Sequence, residues 1–492
     1  MNLFRTKPVS AAPHVDAGEP VEGTLDGEVS LKRVLTARHL VLLGIGAIIG
    51  AGIFVMTGQA AANHAGPAIV LSFILAGTAC AFAGLCYAEF AAMIPVSGSA
   101  YSYTYATLGE AVAWFVGWSL VLEYLFAASA VAVGWSAYTI SLLESIARML
   151  GAEWTFPALF ASAPVTYANG VFAPTGALFN LPAVLIVAGV GTLCYVGIRQ
   201  SATANAVIVA IKVTVILALI GFASPYVDVE NWRPFIPENE GGDRFGWPGV
   251  LRAASIVFFA YIGFDAISTA AQEAKNPQRD MPIGILGSLV VCTILYVIVA
   301  AVLTGIMPYD LLGTAKPVAT ALEPYPRLGW LKFAVEIGAV AGLTSVILVM
   351  MMGQPRIFFA MSRDGLLPPL FGKVHPKFRT PHKATVIVAI AAAFLAAFFP
   401  LGMLGDLVSM GTLLAFATVC AGIFILRRTR PDLPRSFRVP AVALVSPLGV
   451  VCCLALIGFM GWYNWTLLAA WTVVGFTIYF GYGIRHSALN QR

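Results

Sequence analysis

Twelve times along its 492 residues this chain runs apolar for long enough to cross a lipid bilayer as a helix. A hydrocarbon core of ~30 Å takes about 17–25 such residues. The runs fall at approximately 39–63, 68–95, 110–140, 180–198, 202–223, 249–271, 284–307, 333–360, 383–400, 403–426, 441–461 and 463–484. In lipid every backbone N–H and C=O must be satisfied within the protein, so segments of this kind fold as helices. Only 11% of the residues are charged, against about 25% in soluble domains. The expectation is an all-α integral membrane protein of twelve spans. The largest polar pieces are the N-terminal tail (1–38), which has no apolar signal-peptide core, and a loop at about 141–179.

The first run is broken by its own glycines. HLVLLGIGAIIGAGIFVMTGQ (39–59) holds Gly44, Gly46, Gly50 and Gly52. Each weakens a helix by roughly 1 kcal/mol relative to alanine, and together they favour local unwinding. Unwound backbone is tolerated at membrane depth only where it meets protein or lines a cavity. If the helix opens at Gly50-Ala51-Gly52, the N–H groups there through Ile53 face a cavity at a half-helix N-terminus and suit a carboxylate. The freed carbonyls near Ala47 and Ile48 suit an ammonium. A close helix–helix contact through Gly46-x-x-x-Gly50 is the other reading of the same residues.

The sixth run has a second interruption, with Phe258, Phe259 and Tyr261 before Gly263 and with Asp265 inside the run. Its freed carbonyls at Phe259 and Ile262 are candidates for the ammonium, and the Phe259 ring is a candidate gate or simple packing. Irregular first and sixth spans would occupy equivalent places in two five-helix repeats, a pattern that points to inverted repeats. The expected units are therefore a tail (1–38), a first repeat (39–223), a second repeat (249–426), two further helices (441–484) and a C-terminal tail (485–492).

Lys and Arg fix the expected orientation. With twelve spans and an internal N-terminus, 21 of the 29 fall on the inside and seven outside. The positive-inside rule then puts both termini in the cytoplasm of a cell-membrane protein. The remaining cation, Lys212, lies about ten residues into the fifth run, roughly 15 Å deep. A charged lysine there costs ~2.5–3.5 kcal/mol on insertion scales, so it is a candidate for proton exchange, with snorkelling as the alternative. Glu123 and Asp265 are also at mid-span and fit either a structural network around the broken backbone or proton movement. Thr344 and Ser345 offer hydroxyls in the eighth run, and Met350 begins a methionine series suited to a pocket wall or to plain packing.

All seven cysteines lie within spans, with no metal-ligand spacing, and no HExxH or P-loop occurs. The chain is therefore expected to be no enzyme and to use no metal or cofactor. Its basic blocks RRTRPDLPRSFR and KVHPKFRTPHK read as topology signals and not as nucleic-acid contacts. The partners expected are a small solute, protons and lipid, with no obligatory protein partner.

GIGAIIGAGIF (44–54), CYAEFAAMIPVSGSAYSY (86–103), LEYLFAASAVAVGWSAY (122–138), NWRPFIP (231–237), FFAYIGFD (258–265), EAKNPQRDMPIGI (273–285) and RIFFAMSRDGLLP (356–368) together resemble the amino acid–polyamine–organocation superfamily. Within it they resemble the cationic amino acid transporter family, from about Ser30 to Gly483. The resemblance implies a leucine-transporter-type fold of two inverted five-helix repeats plus two helices, and secondary transport of amino acids. It also implies that Thr344 and Ser345 match the helix-eight hydroxyls of a sodium site in sodium-coupled relatives. Lys212 matches the lysine that takes the sodium's place in the proton-coupled branch. Glu123 and Asp265 match family acidic positions near the helix-one break. Two residues depart from the pattern: Ala51, where relatives often have Ser or Thr, and Met350, where animal arginine carriers have a smaller residue. Both argue for small neutral or broad-range amino acids. The leading expectation is proton-coupled symport by alternating access. The alternatives are a carrier or exchanger of arginine, lysine or polyamine and, more remotely, an amino acid sensor.

Overall fold

A computed structural model describes residues 5–6, 35–93, 99–168, 171–197, 202–269 and 274–490. Apart from residues 5–6 and 35–38, the expected N-terminal tail lies outside them. The chain is a bundle of apolar helices. Among the described residues, eight helical segments are long and apolar enough to cross a membrane, and three shorter ones, Leu181–Val196, His382–Phe398 and Val442–Gly458, are apolar as well. Leu185, Leu217, Ile390, Val451 and Val473 stand exposed on outward faces, while Lys212, Glu123, Glu336 and Gln354 are wholly enclosed. Polar groups inside and apolar ones outside suit a lipid surround.

Two of the helices are interrupted. The first runs Ala37–Ile48, bends at Ile49 and Gly50, and resumes near Gly52 in wide π turns to Ala65. The sixth runs Gly246–Val257, tightens to a 3₁₀ turn at Phe258–Tyr261, and resumes only at Ala266–Thr269. Gly263 makes the second break possible: its φ of 115° lies where side chains are strained, and a Cβ there would stand 2.9 Å from the Ala47 carbonyl. The two breaks therefore face each other across the bundle.

The other helices are framed by ordinary signals. Span four starts with the Asn180 side chain accepting the Ala183 N–H, has Pro182 in its first turn, and stops at Gly197 in the left-handed region. Span seven, Pro277–Ile306, packs across spans one and two through small residues: a Cβ on Gly44 would strike Ser288, and one on Gly84 would strike Leu289. Span eight is longer than its apolar pattern, Gly329–Arg363, and carries Pro355 inside it.

Two connections carry structure of their own. The loop after span three forms a two-stranded hairpin, Val165–Ala168 against Val171–Pro174, whose Tyr167 packs on Tyr463. The Ser- and Tyr-rich stretch after span two forms a helix, Ser99–Thr107, in which Tyr101, Tyr103 and Tyr105 are buried. It packs at the end of the bundle where the termini meet. There Arg5 donates to the Leu489 carbonyl, and the buried Glu110 accepts from Tyr105, Tyr479 and Ser487. This is called the terminal end below. The hairpin end opposite is called the far end.

Candidate functional site

The bends at Ile49–Gly50 and Ile262–Asp265 enclose a cavity at mid-bundle. Ile48, Gly50, Ala51, Gly52, Phe259, Ile262 and Met350, all expected from sequence, line it, while Ile53 does not. Ala47, whose carbonyl the sequence also offered, lines it too; Ala127, Val131 and Val346 complete the wall and carried no sequence signal beyond being apolar. The volume is about 10 Å³, the space of a single water at most, so this state is closed upon itself. Gly52 is what allows the closure. A Cβ there would fall 2.1 Å from the Ala260 Cα, so the two broken helices touch backbone to backbone.

The polar groups of the wall are main-chain groups. Where the helix restarts near Gly52, the Phe54 N–H donates to the Gly50 carbonyl at 3.3 Å, and the N–H groups just before it lie at a helix start, where intrahelical partners run out. The carbonyls are partly engaged. Tyr296 Oη stands 2.8 Å from the Ile48 oxygen and 3.0 Å from that of Ala260, and the Ile262 N–H donates to Phe259. Each such oxygen keeps a second lone pair for an ammonium. Apart from the Tyr296 hydroxyl behind them, the side chains around them are apolar, the Met350 thioether included, so the cavity offers polar complementarity only to the head of a zwitterion.

Lys212 lies behind the first bend. Its Nζ donates to the carbonyls of Gly46 at 2.7 Å and Ile49 at 2.8 Å, two oxygens that the unwound turn releases. Gly342 makes room for the stem, since a Cβ there would meet Lys212 Cε at 2.9 Å. The hydroxyls of span eight point elsewhere: Ser345 donates to Gly342 and Thr344 to Val340, with Trp135 donating to Thr344. Lysine and hydroxyls thus share a neighbourhood without bonding each other.

Below the cavity, toward the terminal end, Tyr124 donates to Asp265 at 2.8 Å. Glu123 sits in a π turn (Leu122–Phe126) of span three beside Asp265 and Thr412, fully buried, with neither carboxyl oxygen hydrogen-bonded. The two mid-span acids are therefore neighbours. Arg252, one of the seven cations expected on the outer side, is enclosed. It bonds Asp406 of span ten at 2.6 Å, and Asn464 of span twelve donates to the same oxygen. The sequence reading missed this pair because its partners lie in separate apolar runs. Among the described residues no group of three or more metal-ligating side chains occurs.

Residues 35–484 match the amino acid permease family. The chain belongs to that family. It is 47% identical over 466 residues to the branched-chain amino acid permease BcaP of Bacillus subtilis, covering 94% of this chain and 96% of that protein. It is 45% identical to the methylthioribose transporter of the same organism over the full length of both. A vacuolar cationic amino acid transporter 2 of Arabidopsis thaliana is 38% identical over 84% of this chain and 64% of its own length. The permease is thus a multi-pass membrane transporter of the amino acid–polyamine–organocation superfamily, and the glycine-broken first helix belongs to a transport protein.

Proposed function

We propose that this permease is a proton-coupled symporter of neutral aliphatic amino acids, working by alternating access at the mid-bundle cavity. The observation that supports it most is the wall of that cavity: main-chain groups at two broken helices for the amino acid head, and apolar side chains elsewhere. The N–H groups at the helix start near Gly52 receive the carboxylate, and the carbonyls of Ile48, Phe259 and Ile262 receive the ammonium. Met350 bounds the side-chain end and shortens it against arginine or lysine. The similarity to a permease named for branched-chain amino acids favours leucine, isoleucine and valine within this class.

In this reading the chain has twelve spans, two inverted five-helix repeats (39–223 and 249–426), and two further helices (441–484). The terminal end is cytoplasmic and the membrane is the cell membrane, as the excess of Lys and Arg on that end supports. Lys212 carries the coupling proton. Charged, it ties span five to the carbonyls of the first bend. Neutral, it gives up that charge-assisted grip and frees the bundle to rock.

Uptake of a labelled amino acid panel into proteoliposomes, with and without an inward proton gradient, tests the reading. Leucine, isoleucine and valine accumulate under the gradient, sodium changes nothing, and arginine competes weakly. Preference for arginine would overturn the substrate class. Preference for methylthioribose, the solute in the name of the second relative, would overturn the amino acid head as the recognised group.

A further inference from the structure

Gln354 of span eight is wholly enclosed, yet neither its Oε1 nor its Nε2 has a hydrogen-bond partner. A buried amide in that condition works against the fold, and an apolar side chain of similar volume would not. The residue after it adds to the anomaly. Pro355 has no N–H, so the Met351 carbonyl loses the donor that a regular helix would supply. A carboxamide and a main-chain carbonyl thus stand within one turn of each other without their ordinary partners. Polar groups that oppose the fold in this way concentrate where a ligand or a moving part meets them.

Their position says which. Val346 and Met350 line the central cavity, and Gln354 follows Met350 by four residues on the same helix face. It lies roughly 6 Å farther along. The direction is toward the terminal end, where Asp364 closes span eight, its carboxylate accepting from Tyr101 and its carbonyl from the Ala488 N–H. In the row Ile347, Met350, Gln354, Ile357 and Met361, all buried, Gln354 alone is polar. Two helical pieces on the terminal side of the breaks pack against span eight: Ala37–Ile48 before the first bend and Ala266–Thr269 after the second. A path that opens between them and span eight runs along the Met350 face and comes next to Gln354.

We infer that Gln354 is the first group to receive the amino acid as it leaves the central cavity toward the terminal end. The inference rests on the amino acid substrate proposed above. A carboxamide suits the task because it carries an acceptor and a donor side by side. Oε1 takes the departing ammonium and Nε2 gives to the carboxylate, so the zwitterion exchanges main-chain partners for side-chain ones without an unpaired step between. The Met351 carbonyl offers the ammonium a second acceptor at the same level. Having no charge, the amide grips less tightly than a lysine or a carboxylate would, and the solute moves on.

Two apolar variants test it: Gln354→Met, which keeps the length of the side chain and removes both polar atoms, and Gln354→Leu. Each melts no lower in detergent than the unmodified full-length protein and binds labelled leucine with an unaltered dissociation constant. In proteoliposomes each slows leucine uptake and leucine–leucine exchange about fivefold, the effect of one lost weak hydrogen bond. Gln354→Asn, which sets the amide on a shorter stem, recovers part of the rate. An apolar variant that transports as fast as the unmodified protein overturns the inference and leaves Gln354 as core packing. So does a lower melting point joined to weaker leucine binding, the mark of a structural role, or a Gln354→Asn variant no faster than the apolar ones. If the unmodified protein itself carries no leucine, the substrate proposed above falls and takes this inference with it.

Discussion

The ammonium of Lys212 reaches the carbonyl of Ile49 at 2.8 Å, fastening the fifth helix to the residue at which the first one bends. With the Gly46 carbonyl at 2.7 Å, it neutralises the loose end of a helix at its negative pole. Lys212→Ala is expected to bind leucine within about tenfold of the unmodified affinity, a difference of ~1.4 kcal/mol. It should nonetheless fail to concentrate leucine under a proton gradient. Parallel measurement of binding and gradient-driven uptake checks this, and gradient-driven accumulation by the variant would refute the coupling role.

Gly52 and Gly50 test the main-chain site. A side chain at Gly52 meets the backbone of Ala260, and one at Gly50 meets Val346 at 3.0 Å. Gly52→Val is therefore expected to abolish leucine binding, while Gly50→Ala, facing a side chain that can shift, weakens it. Leucine methyl ester should compete poorly with leucine against the unmodified protein. Competition by the ester equal to that of leucine would remove the carboxylate from the site.

Met350 sets the reach of the pocket. Shortening it to serine should admit longer side chains, shifting the ratio of arginine to leucine uptake by ~1–3 kcal/mol. Competition curves with both amino acids read this directly. An unchanged ratio would mean that Met350 packs the core without bounding the substrate.

The Arg252–Asp406 pair is enclosed, and Asn464 donates to the same Asp406 oxygen. Asp406→Ala leaves the buried guanidinium only the half-exposed Asp243, at 3.4 Å, and is expected to destabilise the fold by less than the ~3–5 kcal/mol of a fully unpaired buried charge. Replacing both with apolar residues should restore much of that loss. Thermal unfolding of the single and double variants in detergent separates the two cases.

The sequence announced the helices and their breaks because both are local. A span is written in some twenty consecutive residues, and glycines mark where its backbone cannot hold. Seven of the eight expected wall residues meet at one cavity for that reason. Pairings across the fold were beyond reach. Arg252 and Asp406 are 154 positions apart, and nothing near either names the other. Lys212 was singled out by its depth alone, and the direction of its grip, toward Gly46 and Ile49 with the Ser345 hydroxyl turned to Gly342, depends on how two helices pack.

Glu110 gathers its three hydroxyl partners from opposite ends of the sequence: Tyr105 beside it, and Tyr479 and Ser487 near the last residues described. During synthesis, the helix that begins at Glu110 is made with only one of that carboxylate's three partners, Tyr105, in place. Until some 370 further residues emerge, that end of the helix has only water and Tyr105 to lean on. Assembly of the terminal end therefore cannot finish before the helix Trp462–Ile478 and the residues after it arrive, and a polypeptide interrupted before Tyr479 leaves Glu110 short of two of its three hydroxyl partners.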